Sequence, residues 1–358
     1  MRRARVARPR GWLPLAALVF AATPLAAQRW LGVQALFDVE GWRTDGRSTL
    51  LSREQPTAAL ARAYLLWVIE PRRGVQIVGG NEVEGATDER EVELEVDHLT
   101  VRLAPHPIFI VDLGRFAQPV GTFAPRRFSA VNPLIGIPDG YPVSYPVGVM
   151  VSGATASVDY RAALVTLPPT NPAYVPEPGA YLRPAVGVGL TPVIGVRVGA
   201  SWSSGPYLSD ADAANVPAGT RWQDYGSRVL AADLRFARGY FELFAELAAS
   251  WYEVPTIADD VKGTTYYVEM KYTWSPRFFT AVRAERNLYA FIRHSPSGWI
   301  ARATDFVDGE VGVGYRLSAR TLVKASYRAD NWEITPATQA FLGEGSAFAL
   351  QLSYRLGN

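Results

Sequence analysis

The chain has no cysteine, three histidines and three lysines among its 358 residues. Without cysteine there are no disulfide staples, and thiolate nucleophiles and cysteine-held metals are excluded. The histidines are His98, His106 and His294, and none has a partner at metal-ligand spacing. The lysines are Lys262, Lys271 and Lys324, so the basic charge is almost all guanidinium. Past the N-terminal segment no run reaches the roughly 18 apolar residues of a membrane helix. There is also no concentrated basic stripe of the kind nucleic acid requires. No cofactor is called for: the strand glycines Gly187, Gly189, Gly195 and Gly199 precede no helix, which a phosphate-binding loop would need.

The N-terminus carries the first positive signal. Arg2, Arg3, Arg5, Arg8 and Arg10 form a basic segment, Trp12 to Ala22 is a short apolar run, and Pro24-Leu25-Ala26-Ala27 supplies small residues. That order predicts a cleaved signal peptide over residues 1–27. Its loss removes five Arg and no acid, so the formal charge of +2 becomes −3 for residues 28–358.

Period 2 dominates what remains. Phe241, Leu243, Ala245, Leu247, Ala249 and Trp251 alternate with Glu242, Phe244, Glu246, Ala248 and Ser250. A helix would also bring Glu242 and Glu246 together, but the neighbouring segments fix the period. Val268, Met270, Tyr272 and Trp274 share one face, as do Val311, Val313 and Tyr315, and Phe348, Leu350, Leu352 and Tyr354. Tight reversals at 71–73, 105–107, 191–193, 237–239, 275–277 and 318–320 alternate with long stretches such as 203–226, 287–303 and 331–345. Short turns on one side and long loops on the other mark an outer-membrane barrel. The count is about sixteen strands, with fourteen to eighteen compatible. Their centres fall near Ala35, Tyr64, Ile77, Thr100, Val111, Met150, Ala162, Gly187, Val198, Asp233, Ala245, Met270, Val282, Gly312, Ala325 and Leu352. The phase slips at Asp97-His98, which predicts a bulge.

The fold class is therefore all-β: a closed antiparallel transmembrane β-barrel. A barrel this wide cannot be filled by side chains and encloses water, so its apolar face must meet lipid. Trp67, Trp202, Trp251, Trp274 and Trp332 lie near expected strand ends, where headgroup girdles sit. The opposite parity is charged. Arg161, Arg183, Arg197 and Arg235 fall there in the first half, with Glu242, Glu246, Glu269, Lys271, Arg283, Glu310, Arg316 and Arg328 in the second. Ionised groups need water or partners, and a wet pore lining supplies both.

The connection from Gln118 to Pro146 holds six prolines and also Phe123, Phe128, Leu134, Ile135, Tyr141 and Tyr145. A long loop with apolar content folds back onto something. Inward folding over 118–146 puts Arg126, Arg127 and Asp139 at a constriction, with Asp112 and Arg115 beside it. Asp112 or Glu242 would face the two arginines. The rival is an outward cap or partner-binding surface.

Gly114-Arg115-Phe116-Ala117-Gln118-Pro119-Val120-Gly121 resembles the segment after an early strand in porins of the phosphate-selective O and P type. Ala232-Asp233-Leu234-Arg235-Phe236 and Tyr266 to Tyr272 are similar in texture. The resemblance implies a sixteen-stranded trimeric barrel with inward-folded loops. It does not carry phosphate selectivity, because those pores are lined with lysine and this chain has three. The chain also ends Leu356-Gly357-Asn358, without the terminal aromatic usual for outer-membrane barrels, and Tyr354 is the nearest substitute.

The expected function is a porin-like outer-membrane channel for passive diffusion of small hydrophilic or ionic solutes. Its partners would be outer-membrane lipid, the solutes and, as a homotrimer, two further copies. The alternative is a barrel serving surface binding, adhesion or structure. An uptake channel for sugars or organic acids, with Tyr64, Tyr267 and Phe244 as an aromatic slide, is also open. Catalysis has no constellation behind it: His98 alone lies near a strand, where it fits a lumen residue or a bulge-associated hydrogen bonder.

Overall fold

A computed structural model describes residues 31–45, 57–87, 92–139, 144–170, 181–333 and 344–357. Residues 1–27 lie outside these, as do 140–143 of the long loop. The strands are β1 (Leu31–Thr44), β2 (Thr57–Arg72), β3 (Val75–Ala86), β4 (Val92–His106), β5 (Phe109–Arg115), β6 (Val147–Ala154), β7 (Val158–Val165) and β8 (Arg183–Val193). The second half adds β9 (Val196–Pro206), β10 (Gly226–Arg238), β11 (Phe241–Tyr252), β12 (Val261–Thr273), β13 (Phe278–Ser295), β14 (Gly298–Arg316), β15 (Thr321–Trp332) and β16 (Glu344–Leu356). Each pairs antiparallel with its sequence neighbours, and β1 closes on β16 with Val39 opposite Leu352. All sixteen expected centres fall inside these strands. Closure leaves no edge, so the backbone of the wall is satisfied without water.

Alternation sorts the side chains. Val39, Leu234, Val311 and Leu350 are among the exposed apolar residues of the outer face. Their neighbours Asp38, Asp233, Glu310 and Gln351 point inward and are buried. In β4 the pairing slips: Gly80 is opposite His98 and Asn81 opposite Val96, so Asp97 is the extra residue. The bulge turns Asp97 and His98 to the same side, which re-aims a carboxylate into the barrel.

Three expectations on detail are corrected. Residues 287–303 are not a loop. β13 and β14 run on as a paired hairpin as far as Ser295 opposite Gly298. Ala290 and Ile292 on it are buried with Tyr207, Leu208, Tyr252 and Val254, and Trp299 Nε1 donates to Asn215 O at 2.8 Å. Packing against the 207–225 connection thus stabilises strand that polarity alone argued against. Trp332 is not a girdle residue. It shares parity with Lys324, Ser326 and Arg328, and stacks on Tyr289 at 5.4 Å beside the buried Phe306. The reversal expected at 191–193 lies at Ile194-Gly195, where Gly195 takes φ +87°.

Candidate functional site

β5 delivers the chain to Gly114 at φ +126°, where a Cβ would strike the Leu99 carbonyl. The strand ends at Arg115, and Phe116 N to Pro146 O (3.2 Å) and Gln118 N to Ser144 O (3.0 Å) tie the two limbs of the loop together. Phe116, Val120 and Phe123 then pack on a small-residue saddle of the inner wall, with Ala163, Val165, Ala185, Val229, Ala231 and Ala248. Polarity of the inward parity is thus interrupted where the loop lands.

Beyond the saddle the loop is pinned on many sides. Gly121 N donates to Ser201 Oγ (3.1 Å), and Thr122 N donates to both carboxylate oxygens of Glu246 (3.0 and 3.1 Å). Ser129 Oγ donates to Asp38 Oδ1 at 2.6 Å. Lys324 Nζ donates to the carbonyls of Ser129, Asn132 and Leu134 at 3.1, 3.0 and 2.9 Å. Ile135 N and Gly136 N donate to Glu310 Oε1, and Arg283 Nη2 to Gly136 O at 2.6 Å. These partners sit on β1, β9, β11, β13, β14 and β15, on different sides of the ring, so the described part of the loop crosses the lumen.

A charge ladder underlies it. Glu269, Arg283, Glu310 and Arg328 are successive cross-strand partners on β12 to β15. Arg283 bridges Glu269 (3.3 Å) and Glu310 (2.6 Å). Arg328 holds Asp308 and, from the loop, Asp139. Alternating sign in one row lets each charge satisfy two neighbours, which is the arrangement under which burial of ions is tolerable.

The loop arginines part company. Arg126 is buried, pairs with Glu269 and stacks at 3.5 Å on Phe244. Arg127 pairs with Glu82 (3.0 Å) and the bulged Asp97, with the rings of Tyr64, Phe128 and Tyr145 around it. Burial pushes the Tyr145 phenol up to about 12, so the ring beside Arg127 stays neutral. The expected partners are otherwise engaged: Asp112 accepts both Arg102 bonds (2.7 and 3.2 Å), and Glu242 accepts from Lys271 at 2.6 Å. Arg115 reaches Glu95 at 3.1 Å, on the Arg127 side of the barrel.

The remaining expected lining residues all face inward, with different exposure. Arg197 joins Asp159 and Asp233, while Arg161 and Arg235 donate to the loop carbonyls of Gly121 and Thr122. Arg316 and Lys271 flank the Phe279 ring at 5.3 and 5.4 Å. Arg183 is not on an open surface: it is fully buried and bonded to Ser203, Ser227 and the Pro206 carbonyl. Two members of the aromatic slide are covered as well, since Tyr267 lies under Phe123 and Phe244 under Arg126, while Tyr64 stays beside Arg127. His98 faces Thr100 Oγ1.

Between the loop and β1 to β4 an opening of about 310 Å3 remains. Glu40, Trp42, Arg62, Tyr64, Glu82, Glu84, Glu93 and Glu95 line it from the wall, and Arg127, Ile135 to Ile137 and Asp139 from the loop, with Arg328 behind. The glutamates were not singled out from sequence. Parity places them inward, but only the loop's path decides which inward residues stay open.

No protein-family model matches the chain, and no curated protein matches it in sequence. Solved structures do. The chain is similar over 91% of its length to the anion-selective porin from Comamonas acidovorans, covering 99% of that chain at 11% identity and TM-score 0.61. It is similar over 91% to Salmonella typhi OmpF in complex with daunomycin, covering 97% at 12% identity and TM-score 0.60. The trimer form of OmpT, an outer membrane protein of Vibrio cholerae, is covered to 99% at 10% identity and TM-score 0.57. At these identities the likeness is one of fold, that of a closed antiparallel outer-membrane barrel.

Proposed function

We propose that the chain is a porin-like channel of an outer membrane, passing small hydrophilic or ionic solutes by passive diffusion. The observation that carries this reading is the loop crossing a sixteen-stranded barrel while leaving, among the described residues, a charged opening against β1 to β4. A loop that sealed the lumen, or a lumen filled by side chains, would argue against transport; a narrowed water path argues for it. Arg127, Asp139 and the facing glutamates then form the constriction, with Arg115 beside Glu95 at its margin, while Asp112 is buried against Arg102. Arg126 acts behind it, fixing the loop to Glu269. Export by the segment 1–27 and assembly as a homotrimer belong to the same reading. The trimer gains support from a structural neighbour described as a trimer form. The resemblance of residues 114–121 to phosphate-selective porins fits the channel reading and not that selectivity.

The test is conductance of the purified chain in planar bilayers, compared with a variant lacking Thr122 to Asp139. Stepwise conductance in the parent and larger steps in the deletion are expected. A folded parent that conducts nothing would sink the channel and favour a surface-binding barrel, for which the packed β13–β14 hairpin offers a rigid platform.

A further inference from the structure

We infer that the opening selects cations over anions of similar size, inorganic and small organic alike; this rests on the channel reading above. The lining sets the sign. Glu40, Glu82, Glu84, Glu93, Glu95 and Asp139 contribute six formal negative charges, and Arg62, Arg127 and Arg328 three positive. Those arginines are already engaged by carboxylates. Arg62 lies 3.1 Å from Glu40 and 2.6 Å from Glu84, Arg127 holds Glu82 and Asp97, and Arg328 holds Asp139 and Asp308.

Two further observations point the same way. Glu82 is directly opposite Glu95, and Glu84 directly opposite Glu93, across the β3–β4 pair. Same-sign pairs in register concentrate negative charge on this wall at a cost in stability, which Arg62 beside Glu84, Arg127 beside Glu82 and Arg115 beside Glu95 offset. Of the positive charges outside the lining, Arg115 reaches Glu95 at 3.1 Å and offsets one carboxylate, which leaves the balance negative, and others are behind the loop. Arg126, Arg283 and Lys324 are buried in the loop–wall contact and line no part of the opening. A narrow passage between low-dielectric walls concentrates the residual field, and rings of carboxylate favour cations. The inference concerns passage under a field, with no ion held at a fixed site.

The full chain, reconstituted in planar bilayers under a KCl gradient, provides the test. Its reversal potential is expected to lie toward the potassium equilibrium potential. The ratio of potassium to chloride permeability should fall in a Glu84→Gln/Glu95→Gln double variant and rise in Arg127→Gln. It should shrink toward the free-solution ratio at 1 M salt, where screening acts over about 3 Å. Heat-modifiable migration checks that each variant folds, and the parent's own potential decides the sign without any variant. A conducting parent that prefers chloride, or shows no preference, overturns cation selection and leaves the channel standing. A folded parent with no conductance overturns both.

Discussion

The Lys324 ammonium has three N–H donors, and all three end on loop carbonyls of Ser129, Asn132 and Leu134. Replacing it by Met keeps the length of the stem but leaves three buried acceptors without their donor. A stranded buried acceptor costs about 1–3 kcal/mol, and the three share one relaxation. Lys324→Met is therefore expected to lower unfolding stability by about 3 kcal/mol and to expose the loop to protease before the barrel opens. Limited proteolysis with urea unfolding in lipid vesicles measures both, and an unchanged midpoint with a protected loop would refute the anchor. Arg183 makes the opposite case. Its charge is spent on Ser203, Ser227 and the Pro206 carbonyl, away from the opening. Arg183→Met should destabilise the barrel by about 2 kcal/mol while leaving the reversal potential at the parent's value. A shifted potential would mean that Arg183 faces the water path.

At the scale of the element, parity is the physical content of the wall. Val313 and Leu352 face outward, so an arginine at either should cost about 2–4 kcal/mol near the bilayer midplane. The inward comparison belongs at Glu84, which is open to water, and not at Gly312, where a Cβ would already meet Leu134 at 2.8 Å. Equal unfolding costs for Val313→Arg and Glu84→Arg would overturn the assignment of faces. This parity was legible in the sequence because a period of two survives any error in strand length. It gave the sixteen strands and the bulge at Asp97. It could not give the path of the loop, because parity tells which side a residue faces and not which strands a distant segment lies against. The glutamates of β3 and β4 were therefore missed, while Arg126 and Phe244 were assigned to an open lining they do not share. The projecting part of β13 and β14 was lost for a related reason: its stability comes from the 207–225 connection rather than from its own pattern. Ile292, fully buried there, supplies the check. Ile292→Ala should cost about 2–5 kcal/mol locally and open 287–303 to protease while heat-modifiable migration of the barrel persists.

For the whole molecule the decisive contact is the seam, where the first strand meets the last. Every other strand pairs with a neighbour in sequence and could do so in an open sheet; only β1 with β16 requires closure. Closure is also what makes the lumen. An open sheet would leave two rows of unpaired backbone groups in lipid, each group costing several kcal/mol. The seam's register places Val39 opposite Leu352, both on the outer face. Directly opposed residues of an antiparallel pair have Cα atoms about 4.5–5.5 Å apart, within the range a disulfide spans. Because the chain contains no cysteine, the pair Val39→Cys/Leu352→Cys can form only one intramolecular bond. Oxidation after refolding should close nearly the whole chain into a loop, so that boiled, unreduced protein migrates faster than the same sample after reductant. Val39→Cys paired with Leu350→Cys, shifted by two residues, should cross-link more weakly. Failure of the first pair to form, or equal yield from both, would show that the ends do not meet in this register, and the closed lumen on which any transport depends would fall with it.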